Sequence, residues 1–342
     1  MLQGNYFTMN VAIIGASGYT GLELIKILIN HPKFNIAYIA NSSGEMNVQD
    51  LHPCLKNVIN MDVSLADAST VAKVAGLAFL ALPHKTAMSF AKELLDLGVK
   101  VIDLSADYRL ELETYEKHYC EHIDKEHIKD AVYGLPEYFR DEIKNAKLIA
   151  NPGCYPTASL LALLPFIDYI DIDAPIFIDA KSGVSGAGKN PSETTHYCQI
   201  NDNVHAYNPF KHRHMPEINE KVKIITGKDV SINFVPHLLP LTRGMLVSVF
   251  ATLKDDIDVN EVLNNAYKDC EFIRLRNKPV DVKSVAGTNF CDLFVTKNGK
   301  ALFVSSAIDN LLRGASSQAV VNANIICGYE ENEGIPKIAY VP

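Results

Sequence analysis

The chain has 342 residues, 48% hydrophobic, 21% charged and 8% aromatic, the composition of an ordinary globular protein long enough for two domains. With 32 Lys and Arg against 40 Asp and Glu the net charge is -8, so no cationic excess is available to neutralise a phosphate backbone, and nucleic acid is not expected as a partner. No apolar run approaches the roughly 18 residues of a membrane span, and residues 1–10 lack a basic segment followed by an apolar one, so neither a membrane nor a secretory role is expected.

In chain order, the first strong pattern is Asn10-Val-Ala-Ile-Ile-Gly15, an apolar run closing on glycine, followed by Gly18, Gly21 and an amphipathic stretch over 22–29. It reads as strand, tight turn and helix. Residues 1–8 precede this strand without evident structural use, which makes Met9 an alternative start. Further strands are expected at 35–40, 76–82 and 99–103, with a helix from about 84 to 97. Near-continuous apolar strands alternating with helices predict a parallel sheet covered on both faces, so the first half is expected to be an α/β, doubly wound domain. After about residue 150 the strand signals at 176–180, 230–235, 245–250 and 301–307 are separated by longer polar loops, which predicts a mixed or largely antiparallel sheet in an α+β domain. Residues 314–327 predict a helix with an apolar stripe that packs back on the first domain.

The segment Gly15-Ala-Ser17-Gly18-Tyr19-Thr20-Gly21 spaces its glycines three and three, where the common dinucleotide fingerprint spaces them two and three. Its place between a strand and a helix aims free N–H groups at an anion, and the pyrophosphate of a dinucleotide is the expected ligand. Where an NAD enzyme carries a carboxylate at the end of the second strand, this chain has Asn41-Ser42-Ser43. With nothing to repel a 2′-phosphate, and the hydroxyls of Ser42 and Ser43 to receive it, NADP(H) is the expected cofactor. Pro83 is expected at the carboxyl end of the 76–82 strand, where cofactors lie in such sheets.

Seven cysteines, an odd number without a Cys-x-x-Cys pair, point to reduced thiols and a cytoplasmic location. One stands apart. In Asn151-Pro-Gly-Cys154-Tyr-Pro156-Thr157, followed by a good helix former, Pro156 is tolerated only in a first helical turn, so Cys154 is expected at or just before a helix N-terminus. The positive end of a helix lowers a thiol's pKa below about 8.5, which makes Cys154 a candidate nucleophile. Lys211-His212-Arg213-His214-Met-Pro216-Glu217 places two histidines and an arginine in a short loop, able to supply a base for a thiol, an anion site, or both. His118, Cys120, His122 and His127 have some metal-ligand spacing but sit among Glu116, Lys117, Glu121, Asp124, Lys125 and Glu126; a solvated helix face is expected there, and no metal.

Taken together the chain resembles the N-acetyl-gamma-glutamyl-phosphate reductase family. The motifs are the glycine turn, Leu104-Ser-Ala-Asp-Tyr-Arg109, Asn151 to Thr157, Ser182-Gly-Val-Ser-Gly-Ala-Gly188, His212 to Glu217 and Ala307-Ile-Asp-Asn-Leu-Leu-Arg-Gly314. The resemblance implies a fold similar to aspartate-semialdehyde dehydrogenase, with a Rossmann domain over 1–153 completed by a C-terminal segment from about 310 to 342. Residues 154–309 would form the catalytic, substrate-binding and oligomerisation domain. It further implies a thioester on Cys154, reduced by NADPH, with a small acyl phosphate as substrate, His212 as first choice for the acid and base, and His214 as second. By motif match Arg109 is expected on the substrate's carboxylate or phosphate, and Glu217 on its acylamino end or on the histidine. Ser182, Gly183, Ser185 and Gly188 are expected on phosphate or the nicotinamide side of the cofactor, and Asn310 on the nicotinamide amide. A homo-oligomer, dimer or tetramer, is expected. The alternatives are a related acyl-phosphate reductase, aspartyl or carrier-linked aminoadipyl, and a non-catalytic NADP-binding regulator.

Overall fold

A computed structural model describes residues 9–340; the alternative start at Met9 concerns residues outside that range. The described chain divides into two compact units, residues 9–152 with 316–335 and residues 153–315 with 336–340.

The first unit is built on a sheet of β1 (Met9–Ile14), β2 (Phe34–Asn41), β3 (Met46–Asn47), β4 (Asp62–Leu65), β5 (Leu77–Leu80), β6 (Lys100–Asp103), β7 (Val132–Tyr133) and β8 (Leu148–Ala150). Its order is β3-β4-β2-β1-β5-β6-β8-β7, parallel throughout except for the short edge strand β3. Val11 to Ile14 and Leu77 to Leu80 are wholly buried because helices cover both faces, which is why these strands read as unbroken apolar runs. Strand order reverses between β1 and β5, and the carboxyl ends of strands at such a reversal form a crevice suited to a ligand.

Three local expectations are corrected in this unit. The helix expected from 84 begins at Ala87, because Lys85 adopts a left-handed φ of 72° and the Asp107 carboxylate accepts the N–H groups of Lys85 and Met88. The tail helix is Ser316–Ile326, and it carries no single apolar stripe, since every one of its residues is buried. It packs on the helices Tyr19–Leu28 and Pro136–Asn145, and its amides are satisfied by carbonyls: Gln318 Nε2 and Asn322 Nδ2 donate to Gly134 O, and Asn324 Nδ2 to Glu333 O. Lys117, His118, Glu121, Lys125 and Glu126 are exposed, as a solvated face requires, but the same segment also carries a buried polar pair off the helix. The helix stops at His118, His122 and Asp124 have no exposure, and His122 Nε2 meets Asp107 O at 2.9 Å while Tyr108 donates to Asp124 at 2.7 Å. Buried carboxylates need such partners, and here they lie in distant segments. Asn322→Leu, which removes donors to Gly134 O and Asn151 Oδ1 at 2.9 and 3.1 Å, is expected to lower unfolding free energy by about 1–3 kcal/mol in urea titration.

The second unit holds β9 (Ile176–Gly183), β10 (His205–Ala206), β11 (Ile232–Leu239), β12 (Met245–Thr252), β13 (Ile273–Leu275), β14 (Cys291–Asn298) and β15 (Ala301–Ile308). The order is β10-β11-β9-β12-β15-β14-β13, with β9·β11 and β13·β14 parallel and the rest antiparallel, a mixed sheet. β11 alternates buried and partly exposed residues, as a strand covered on one face does, whereas β15 is buried throughout Val304–Ile308; the helices Cys154–Leu163, Met215–Thr226 and Val259–Tyr267 pack on the sheet. On the other face Phe177 and Phe250 lie directly opposite one another and are 48% and 45% exposed, with Phe303 against Phe250.

Candidate active site

Two strand ends and two helix starts set the position of Cys154. After β8, Asn151 donates its N–H to Asp103 O, while Arg109 Nε and Nη2 donate to Asn151 O and Leu104 O, both at 2.8 Å. Arg109 is buried, and these two donors bind backbone carbonyls. Asp103, fully buried beside it, has its carboxyl pushed up to about 7 by burial and by the negative charge of Asp107. The chain then turns at Gly153, whose N–H donates to Glu217 Oε1 at 3.0 Å, and Cys154 opens the helix Cys154–Leu163. Pro156 lies in the first turn, where its missing N–H costs nothing. Tyr155 through Leu163 are all buried, whereas Cys154 is only half-buried. The thiol therefore stands accessible at the positive end of a buried helix. A Cβ on Gly314 would lie 2.6 Å from Cys154 Cβ, so the turn after β15 passes the nucleophile only as glycine.

The histidine loop delivers its residues alternately. His212 and His214 are buried, while Lys211 and Arg213 are exposed. His214 caps the helix Met215–Thr226, whose first turn carries Glu217, so the starts of two packed helices are joined through the Gly153–Glu217 bond. His214 N–H donates to His212 Nδ1 at 3.2 Å, which places the proton of a neutral His212 on Nε2. Burial, and secondly the positive charge of Arg213, push His212 down to about 4, so it is uncharged at neutral pH. The two imidazoles are 4.9 Å apart, and the Tyr155 and Tyr207 rings stand 5.4 and 5.5 Å from His212. Tyr155 and Tyr207 share a hydroxyl contact of 3.0 Å, and burial holds both phenols above their ordinary range, Tyr207 at about 12.

Cys154, both histidines, both tyrosines and Ser182 line a cavity of about 490 Å³. That volume suits a small metabolite. Thr194, Thr195, Asn208, Lys211 and Arg213 complete much of its wall, and among the described residues no carboxylate lines it. Ser182 and Gly183 are the last residues of β9 rather than a loop after it, and Ser182 donates to Gly183 O. Asn310 is occupied at both ends of its amide: Oδ1 accepts from Gly244 N–H and Nδ2 donates to Ser185 Oγ at 3.0 Å. Gly188 is exposed, with a φ of 88°.

In the first unit, Gly15 has a φ of 94°, and a Cβ there would lie 2.2 Å from Ala81 O; one on Gly21 would lie 2.5 Å from Gly15 O. Both glycines are demanded by the protein's own backbone. A Cβ on Gly18 would meet nothing nearer than 4.0 Å, so at the N-cap of the helix Tyr19–Leu28 the turn leaves room for a ligand to approach free N–H groups. Tyr19 is exposed and Thr20 half-buried on the same turn. Asn41 donates to Ser17 Oγ and accepts from the N–H groups of Ser43 and Gly44, which leaves Ser42 and Ser43 exposed at the end of β2. Pro83 is exposed, three residues beyond β5. This donor set fits a dinucleotide pyrophosphate and a 2′-phosphate.

Comparison with known proteins places this geometry. Residues 10–146 match the semialdehyde dehydrogenase NAD binding domain, and residues 154–310 the semialdehyde dehydrogenase dimerisation domain. The chain is similar to N-acetyl-gamma-glutamyl-phosphate reductases from a Sulfurovum species, 62% identical over 98% of this chain and 100% of the relative, and from Wolinella succinogenes, 57% identical over 97% and 98%. The chain belongs to the N-acetyl-gamma-glutamyl-phosphate reductase family. Its fold is also similar to that of aspartate semialdehyde dehydrogenase II from Vibrio cholerae, in complex with ASA, and of aspartate semialdehyde dehydrogenase from Candida albicans with NADP. Each has a TM-score of 0.72, at 20% and 14% identity, and covers 94% of this chain and 98% of the other.

Within this reductase family member the second unit brings Cys154, Ser182, His212 and His214 to one cavity, and it binds Glu217 to the nucleophile turn. Tyr207, Thr194 and Thr195 line the same cavity without any sequence signal, since a single tyrosine among 15 carries none. Gly314 did carry one: it closes the motif that begins at Ala307.

Proposed function

We propose that this chain reduces N-acetyl-L-glutamyl 5-phosphate to N-acetyl-L-glutamate 5-semialdehyde with NADPH, releasing phosphate, in arginine biosynthesis. The observation that carries the reading is the half-buried thiol at the first position of a buried helix, in one cavity with two histidines. The substrate comes from the family: relatives 53–62% identical over nearly the whole chain bear that name, against 14–21% for the aspartate-semialdehyde dehydrogenases.

Cys154 Sγ attacks the acyl carbon, forming a C–S bond and a tetrahedral oxyanion; collapse breaks the bond from that carbon to the phosphate oxygen, leaving a thioester. Bound NADPH supplies the hydride that reduces it. The second tetrahedral oxyanion expels the Cys154 thiolate as the aldehyde forms. At both stages charge develops on oxygen, and His212 offers Nε2–H to it, while the N-terminal N–H groups of the Cys154 helix stabilise negative charge on sulfur. Glu217 holds the Gly153 N–H of the turn, and Arg109 Nε holds the Asn151 carbonyl just before it, so the thiol is pre-positioned.

The first unit serves as the NADP(H) domain and the second as the catalytic and oligomerisation domain. Gly15 to Gly21 take the pyrophosphate, and Ser42 and Ser43 the 2′-phosphate. Ser42→Asp is therefore expected to erase or reverse the preference for NADPH over NADH in kcat/KM, through repulsion of that phosphate. The exposed Phe177 and Phe250 pair on the open sheet face supports a homo-oligomer, dimer or tetramer. None of the seven cysteines, all among the described residues, forms a disulfide, which supports a cytoplasmic site of action, and among the described residues no helix is long and apolar enough to cross a membrane.

The test is NADP reduction by the purified protein with N-acetylglutamate semialdehyde. Strict dependence on added phosphate is expected. Faster turnover with aspartate or aminoadipate semialdehyde would assign the chain to a related reductase, and no turnover with any aldehyde would leave a non-catalytic NADP-binding protein.

A further inference from the structure

We propose that Arg213, with Lys211 beside it, is the subsite that reads the substrate's α-carboxylate and makes that carboxylate a requirement for turnover. The inference rests on the proposed function, because it names how the same cavity chooses its substrate.

The loop geometry makes the first argument. From 211 to 214 burial alternates, so the two imidazoles are packed inward while the ammonium of Lys211 and the guanidinium of Arg213 stand exposed. All four residues nevertheless line the cavity that holds Cys154. Anything seated against the thiol therefore has two cations within the same enclosure.

Charge makes the second. The chain has 40 acidic and 32 basic residues, yet among the described residues no Asp or Glu lines the cavity. The rest of its polar lining includes Thr194, Thr195, Asn208 and three histidines. In a protein of net charge -8 that is an enclosure of opposite sign, built for an anion.

The proposed substrate brings two anionic groups. Its phosphoryl group is attached at the carbon that Cys154 attacks and departs. Its carboxylate lies at the other end of the carbon chain and stays through both steps. A planar guanidinium matches a carboxylate through two parallel N–H···O bonds, whereas an ammonium acts as a point charge, so Arg213 is the selective member and Lys211 the supporting one. Arg109, the other arginine the motifs single out, directs two donors to backbone carbonyls and is buried.

The reverse reaction separates the two anions, because semialdehyde and phosphate then enter as different substrates. Arg213→Met is expected to raise KM for N-acetylglutamate semialdehyde by about 10²-fold, with kcat within a few-fold and KM for phosphate and NADP unchanged. Lys211→Met is expected to act in the same direction and less. With 4-acetamidobutanal, which lacks only the carboxylate, Arg213→Met and the parent protein are expected to have equal kcat/KM, and Arg213→Lys to recover part of the loss with the full substrate. A rise in phosphate KM with semialdehyde KM unchanged would overturn the proposal in favour of a phosphate subsite. An equal fall with both aldehydes would overturn it in favour of a role in placing His212. A parent protein that reduces NADP with no aldehyde fails the proposed function itself, which these variants do not bear on.

Discussion

Cys154→Ala is expected to lower turnover by roughly 10⁴-fold or more while leaving NADPH affinity unchanged. The covalent route needs a nucleophile at one point, and the other six thiols lie elsewhere: Cys291 is wholly buried, and Cys54 and Cys198 are exposed outside the cavity lining. We assign the dinucleotide to the glycine turn of the other compact unit, whose residues alanine at 154 leaves unchanged. Steady-state rates and NADPH fluorescence titration read the two quantities separately. An alanine variant that keeps a substantial rate, or an acyl adduct mapped by mass spectrometry to another cysteine, would sink the thioester scheme.

His212→Asn is expected to lower kcat by about 10²–10⁴-fold with a smaller change in KM. Asparagine can still accept the N–H of His214 in place of Nδ1, so the loop keeps its turn, but it lacks the imidazole Nε2–H that we propose meets the developing oxyanion. His214→Asn is expected to act mainly through KM, because His214 supports His212 through its backbone N–H, which the substitution preserves. The reverse pattern would move the acid and base role to His214 and leave Cys154 in place. The first requirement for either reading is unchanged folding and NADPH binding, since the two rings are in contact.

Much of this arrangement is legible in the order of the amino acids. The unbroken apolar runs of β1 and β5 declare a sheet covered on both faces, and the alternation in β11 and β12 is that of a sheet covered on one. Pro156 places a helix start within two residues, and so places Cys154 at the helix N-terminus. Gly15, at a φ open to glycine, marks the turn that receives a dinucleotide. These features depend on the local backbone and on which faces are covered, and the local sequence carries both.

What the sequence left undecided depended on partners far along the chain. The Ala87 helix begins where Asp107, 22 residues beyond Lys85, supplies its cap. Asn151 is held by Asn322, 171 residues away. The charged run around His122 is solvated as its composition suggests, except that Asp107 and Tyr108 bury His122 and Asp124 within it, and the tail helix looks amphipathic until its amides find backbone carbonyls. Arg109 reads as a ligand for an anion, and its Nε and Nη2 donate to two backbone carbonyls, while the loop that holds Arg213 reads as a base or an anion site and lines the cavity. A polar side chain states what it can bond but not which partner folding brings within 3 Å, so the sequence by itself determined the class of fold and the helix-start position of the candidate nucleophile. Only the tertiary structure decided which charges bond to the scaffold and which line the cavity.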